Sequence, residues 1–209
     1  MKSTEESAVP PGWMDPNNVR KITEIASTMR KAATVVEVGS FLGRSALVWS
    51  RTIGPEVRIY CVDSWEANWI TPEGMEKAPG AMEAITEHGG VYEAFCHYAS
   101  LVDNITPVRG IFPSPRVRNL IPATADLVFI DADRLYVSTI LHVLEAVEMT
   151  KNVGGRVVGV HYQPEVYPTF VNALKHAARE SKMDLLVHDS SSVWEVVPRG
   201  TRMEGTAVA

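Results

Sequence analysis

The chain has 209 residues, 45% hydrophobic and 22% charged, which suits one domain burying roughly 70% of its extended-chain surface. Twenty Lys and Arg against 25 Asp and Glu leave a net charge of −5, which argues against a broad nucleic-acid-binding face, because neutralising phosphates takes clustered cations. Two cysteines in no metal or disulfide spacing argue against a cystine framework, and no run of about 18 apolar residues offers a membrane span.

The opening residues, MKSTEESAVPPG, have no apolar core of the signal-peptide kind. They read as a flexible leader over 1–15, and with the free cysteines they suit a cytoplasmic protein. A helix is predicted at about 16–31, where Val19, Ile22, Ile25, Ala26 and Met29 recur at helical spacing. From there β-branched runs alternate with helical patterns. The predicted strands are Thr34–Val38, Val57–Val62, Ile105–Arg109, Asp126–Ile130, Arg156–Val160, Asp184–Val187 and Val193–Val197. The predicted helices lie at about 44–53, 76–87, 91–102, 134–150 and 167–181.

Strands that read as continuous apolar runs, LVFI and VVGV among them, suit a parallel sheet covered on both faces. Only HDSSS separates Val187 from Val193, too short for a helical crossover, so the last two strands should form an antiparallel hairpin. The expectation is an α/β sandwich over 16–198 with a seven-stranded, mostly parallel sheet ending in that hairpin. Residues 199–209 read as a loose tail. The segment at about 66–102 is longer than an ordinary crossover. Its Pro72, Gly74, Pro79, Gly80 and Gly89-Gly90 suggest a lid carrying Trp69, Met75, Tyr92 and Phe95; the plainer reading makes Tyr92, Phe95 and Tyr98 the buried stripe of one helix.

In an open α/β sheet ligands bind beyond the carboxyl ends of the strands. After the first strand stands VVEVGSFLGRS. Gly39 can take positive φ and admit a ligand close to the backbone, Gly43 permits a tight start to the helix, and Glu37 can receive a cationic or hydroxylic group. After the second strand, IYCVDSW puts Asp63 where an acid can accept the two hydroxyl donors of a ribose. The alternative for Asp63 is a helix cap or turn aspartate. The spacing G-x-x-x-G has Ser40 and Phe41 where a pyrophosphate-binding turn would have its middle glycine, so a dinucleotide fits less well than S-adenosylmethionine.

VVEVGSFLGRSALVWS, IYCVDSW, DLVFIDADRLY and GGRVVGVHY, in this order and spacing, resemble class I S-adenosylmethionine-dependent methyltransferases with their Rossmann-like fold. The likeness spans about residues 20–197 and is nearest to the small O-methyltransferases of catechol and macrocin type and the cephalosporin-hydroxylase-like proteins. It implies an S-adenosylmethionine site in which Gly39 and its neighbours Ser40, Phe41, Gly43 and Ser45 pass under the methionine part. It implies Asp63, with Ser64 and Trp65 beside it, at the ribose, and Gly110 and Ile111 along the adenine. Trp65 serves equally as a plain core aromatic. His142 and His176 read as flank residues, on the surface or satisfied in the core.

The resemblance also implies a divalent metal held by the first acid of IDAD, here Asp131, with two oxygen ligands ending the fifth strand. This chain has His161 and Tyr162 there, a poor set for magnesium or calcium, and Arg134 where many relatives have histidine. Without a metal, His161 is a candidate general base, since imidazole titrates near about 6.5. Asp131 would orient it, contacting the cofactor as well, and Arg134 would bind an anionic group or the nascent oxyanion. Two other readings of His161 stay open: a transition-metal ligand with Asp131, and a structural histidine. The expected activity is O-methylation of a small-molecule acceptor, with no nucleic-acid or membrane partner and with the N-terminal helix and lid as homodimer surfaces. The rival functions are a non-catalytic S-adenosylmethionine binder and a nicotinamide-dependent oxidoreductase.

Overall fold

The structure is a computed structural model that describes residues 9–66, 75–201 and 206–208. Its helices are α1 (Pro16–Ser27), α2 (Arg44–Ile53), α3 (Ala81–His88), α4 (Val91–Ala99), α5 (Pro115–Arg118), α6 (Tyr136–Thr150) and α7 (Pro168–Glu180). Its strands are β1 (Thr34–Val38), β2 (Arg58–Asp63), β3 (Ile105–Arg109), β4 (Leu127–Ile130), β5 (Arg156–Gly159), β6 (Met183–Val187), β7 (Trp194–Pro198) and β8 (Thr206–Val208).

They form one sheet in the order β3-β2-β1-β4-β5-β7-β6-β8. The first five strands run parallel; β7 pairs antiparallel with both β5 and β6. Sequence order reverses between β1 and β4, which opens a crevice at their carboxyl ends. All seven predicted strands form. An eighth, β8, pairs antiparallel with β6, so part of the tail expected to be loose extends the sheet.

Alternation along the buried strands sorts side chains to two cores. Val35, Ile59 and Cys61 face α1–α4 with Trp49 and Phe95, while Val36, Val62 and Val128 face α5–α7 with Val143 and Leu174. Both faces are covered, so the strands carry apolar residues in succession rather than alternating with polar ones. Across β5–β7 a buried polar cluster pins the register: Arg156 donates to both Glu195 oxygens at 2.6 and 2.9 Å, and His188 Nε2 lies 3.0 Å from the same carboxylate. Burial opposes the charge on Glu195, but the His188 and Arg156 bonds outweigh it and hold its pKa below the usual carboxylate value.

The lid expectation needs correcting where the structure can be read. Residues 75–99 contribute Met75, Ala81, Ala84, Val91, Ala94 and Phe95 to the first core, so α3 and α4 are packed helices. The reason is the apolar stripe of α4, whose Phe95 is fully buried. Trp69, Pro72 and Gly74 lie outside the described residues. Among the described residues, no helix is long and apolar enough to cross a membrane.

Candidate active site

The crevice beyond β1 and β4 is a cleft of ≈ 800 Å³ whose lining includes Gly39, Ser40, Phe41, Ser45, Asp63, Ser64, Gly110, Ile111, Asp131, Arg134 and His161. Most of the residues predicted for the site are therefore brought together. Glu37, Gly43 and Trp65 are not among the lining residues, and each absence has a physical cause.

Glu37 points to the α2 face of β1 and is fully buried, with Cys61 Sγ 3.9 Å from its Oε1. Desolvation pushes its pKa up to about 8; the Ser45 and Ser40 hydroxyls favour the ionised form, and the charges of Asp131 and Asp63 oppose it. Neither hydroxyl closes a hydrogen bond to Oε2, which has no partner. The expectation of a ligand-receiving carboxylate is thus corrected to a neutral acid buried behind the turn. A pH effect follows. The folded carboxyl keeps its proton to about pH 8, while an unfolded one releases it at the ordinary 4.5. Between those values the folded state binds more protons, so stability should fall as pH rises, by at most about 4–5 kcal/mol. Denaturant midpoints should drop over that range in the wild type, and Glu37→Gln should flatten the decline; an equal slope in both would remove Glu37 as its source.

Gly43 caps α2 at φ +86, and a Cβ there would lie 3.2 Å from the Phe95 ring, so its smallness serves helix packing. Trp65 is 3% exposed, packs its ring 4.6 Å from that of Phe95, and donates Nε1–H to the Phe41 carbonyl at 2.8 Å. It is a core aromatic, not a cover for a ligand.

Asp63 does lie in the cleft wall, yet much of its carboxylate is already engaged. Oδ2 accepts the backbone N–H groups of Ser40 and Phe41 at 2.9 and 3.0 Å, and Oδ1 accepts that of Trp65 at 2.8 Å. A carboxylate offers about four acceptor positions, so one remains for a ligand hydroxyl rather than the expected two. Asp63 is also the clasp of the glycine turn. Asp63→Ala should therefore destabilise the ligand-free protein by about 2–4 kcal/mol, since it strands three backbone donors of a charge-assisted set. Thermal melting without ligand checks this, and an unchanged midpoint would leave Asp63 with a ligand role only.

At the other wall, His161 follows β5 and sits at φ +70, a left-handed conformation that costs a non-glycine residue about 1–2 kcal/mol. Its backbone N–H donates to Ser192 Oγ at 3.2 Å. Ser192 is itself gripped by Asn18 of α1, whose amide donates to Oγ at 2.9 Å and accepts from the Ser192 N–H at 3.0 Å. This buried network holds the histidine in place. His161 Nε2 lies 2.9 Å from Asp131 Oδ1, and the Tyr167 ring stands edge-on with centroids 6.1 Å apart. Tyr162 instead packs against the second core.

Three lining features were missed in the sequence. Residues 9–15, expected to be part of a flexible leader, include a strap of Pro11–Met14 along the cleft, with the Trp13 ring 4.6 Å from that of Phe41. A large apolar pair, Trp13-Met14, in an otherwise polar leader was the available signal. Asn18 was legible by extending the Ile22, Ile25 and Ala26 stripe back one turn. His142, read as a flank residue, is 3% exposed in the cleft wall, its Nε2 2.9 Å from the Phe112 carbonyl. That carbonyl makes Nε2 the protonated nitrogen, so Nδ1 carries the lone pair and has no partner. Burial lowers the His142 pKa and keeps the ring neutral.

Residues 36–162 match the model of a methyltransferase-domain family. The chain belongs to this family. As a methyltransferase-domain protein it shares its fold with several solved structures. An O-methyltransferase from Bacillus cereus in complex with SAH is 15% identical, with a TM-score of 0.57 over 92% of this chain and 86% of that one. A precorrin-6y C5,15-methyltransferase from Geobacter metallireducens is 12% identical, with a TM-score of 0.56 over 92% and 93%. Fibrillarin from Aeropyrum pernix, with natively bound S-adenosyl-L-methionine, is 15% identical, with a TM-score of 0.52 over 85% and 74%. At such identities the likeness is one of fold. No curated protein matches in sequence.

Within this methyltransferase domain the donors at the ends of β4 and β5 do not fit a hard divalent cation. Asp131 and His161 supply one carboxylate and one imidazole, and among the described residues no group of three or more His, Cys, Asp or Glu is placed to hold a metal.

Proposed function

We propose that this methyltransferase transfers a methyl group from S-adenosylmethionine to a hydroxyl oxygen of a small molecule, with His161 as general base and no bound magnesium. The observation that carries the reading is the His161–Asp131 pair, 2.9 Å apart in the wall of the cleft that also contains the glycine turn.

The residues present fit the cofactor. The cleft volume, ≈ 800 Å³, is in the range of small-molecule sites. Ser40 Oγ is buried in its wall without a partner, and Asp63 has one acceptor position left. Gly39, Ser40 and Phe41 would hold the methionine part, Asp63 a ribose hydroxyl, and Gly110 and Ile111 the adenine, with His142 Nδ1 as an acceptor at that end. When bound, S-adenosylmethionine supplies a methyl group on a sulfonium, itself a good leaving group. The protein's share is then to align the acceptor, take its proton and exclude water.

His161 meets the second demand. With Nε2–H donating to Asp131, Nδ1 is the nitrogen left to accept the proton of the acceptor hydroxyl. Asp131 fixes the tautomer and stabilises the imidazolium that forms, and the Ser192–Asn18 clasp restrains the backbone that carries the ring.

Calorimetry with S-adenosylhomocysteine and with NADH separates this reading from an oxidoreductase: binding of the first is expected, and binding of NADH alone would overturn it. Turnover on a panel of hydroxylated acceptors should survive EDTA. Loss of activity that magnesium restores would refute the metal-free base mechanism, and no methyl transfer to any acceptor would leave a non-catalytic binder.

A further inference from the structure

The wall of the cleft beside His161 carries a cation, Arg134, that has no ion-pair partner among the described residues. Arg134 follows two carboxylates in sequence, Asp131 and Asp133, yet each is otherwise engaged. Asp131 is paired with His161, and Asp133 Oδ1 accepts the Leu135 N–H at 3.0 Å and the Ser138 hydroxyl at the start of α6. No ion pair to Arg134 exists among the described residues, and its Nε is buried with no hydrogen-bond partner. What positions the guanidinium is an aromatic face: its central carbon stands 4.8 Å from the centre of the Tyr167 ring. The same ring meets His161 edge-on. Base, aromatic spacer and unpaired cation thus form one cluster, with Arg134 and His161 both in the cleft lining.

We infer that Arg134 is the specificity residue of the acceptor half of the cleft and that the acceptor is a small hydroxylated aromatic carboxylate. This rests on the methyl-transfer reading for the role of the hydroxyl, while the recognition of the carboxylate rests on Arg134 itself. Besides its buried Nε, the planar guanidinium has a terminal pair of nitrogens whose two-pronged edge matches a carboxylate. A dianionic phosphate suits the place less well, because one arginine would face it alongside Asp131 and Asp133, both in the same lining. The body of such an acceptor would lie against an apolar surface, for which Trp13, Met14, Phe41 and Leu135 line the cleft. Arg134 is therefore assigned to holding the acceptor's anion, not to stabilising a developing oxyanion.

The test is direct binding, measured by calorimetry on the full chain with the three monohydroxybenzoates, their amides and phenyl phosphate. At least one acid should bind the wild type about 10–100-fold more tightly than its amide, as a charge-assisted pair does. Arg134→Gln should bring that ratio close to one, and Arg134→Lys, which keeps the charge and loses the fork, should fall between, with melting curves verifying that both variants fold. Equal affinity for acid and amide in the wild type, no measurable binding of any hydroxybenzoate, or discrimination that survives Arg134→Gln would each overturn the inference. Tighter binding of phenyl phosphate than of every acid would overturn the carboxylate assignment. Binding of S-adenosylhomocysteine, measured separately, reports on the cofactor reading alone, so failure of one is not mistaken for failure of the other.

Discussion

His161→Ala is expected to lower turnover by about 10²–10⁴-fold, the usual contribution of a positioned general base. The expectation is specific to the side chain, because the left-handed backbone strain at this position comes from the Cβ, which alanine keeps. Residue 161 holds φ +70, so alanine should leave stability near the wild-type value, and only glycine should relieve the strain. A variant that melts like the wild type but has lost turnover is the signature of a base. Near-wild-type turnover would return His161 to a structural role. Asp131→Asn keeps the shape of the pair and offers its nitrogen or oxygen to Nε2, so it should lower turnover through the wrong tautomer or a weaker imidazolium partner.

The second large effect is expected at Gly39. Its φ is +85, and a Cβ would fall within van der Waals overlap of the Asp131 carbonyl oxygen and 2.9 Å from Ala132 Cα. Neither side can retreat, because the Gly39 N–H is bonded to the Val62 carbonyl at 2.9 Å and the Asp131 N–H to that of Val38 at 2.8 Å. Gly39→Ala therefore combines left-handed strain with backbone overpacking, together about 2–5 kcal/mol. For a chain of this size that lowers the melting midpoint by roughly 5–15 °C. S-adenosylhomocysteine binding should be lost with it, because the same displacement separates the turn from Asp131. A variant that melts and binds like the wild type would mean that the turn does not abut β4 as closely as described. The glycine here serves close packing of two strand ends as much as approach of a ligand.

The sheet was legible from local pattern because its signals are local. Apolar β-branched runs such as VVEV and LVFI, at four to five residues, suit strands buried on both faces, and a five-residue turn cannot carry a crossover, so the parallel strands and the hairpin follow. The glycine turn and Asp63 were legible because backbone conformation and strand-end position restrict residue type. What the pattern could not show was the direction of each polar group. Glu37 and Asp63 both read as acids at strand ends, yet one turns into the first core and holds its proton to about pH 8 while the other clasps the turn. Glu37 pairs with Cys61, so Asp63 stands two residues nearer the carboxyl rim, and that register is set by pairing across the sheet.

By itself the sequence determined the alternation of elements, the position of the crevice and the set of residues arriving at its rim, because those depend on period, turn length and strand ends. Only the tertiary structure decided which of those residues face the cleft. It brought Trp13 and Asn18 to the site from before β1, and His142 from α6. It set His161 on Asp131 through Ser192, 174 residues from its partner Asn18. It also stacked Arg134 on Tyr167, with no ion pair among the described residues. Hydrogen bonds between distant segments and the desolvation of buried charge are properties of the packed chain, and no local pattern of residues encodes them.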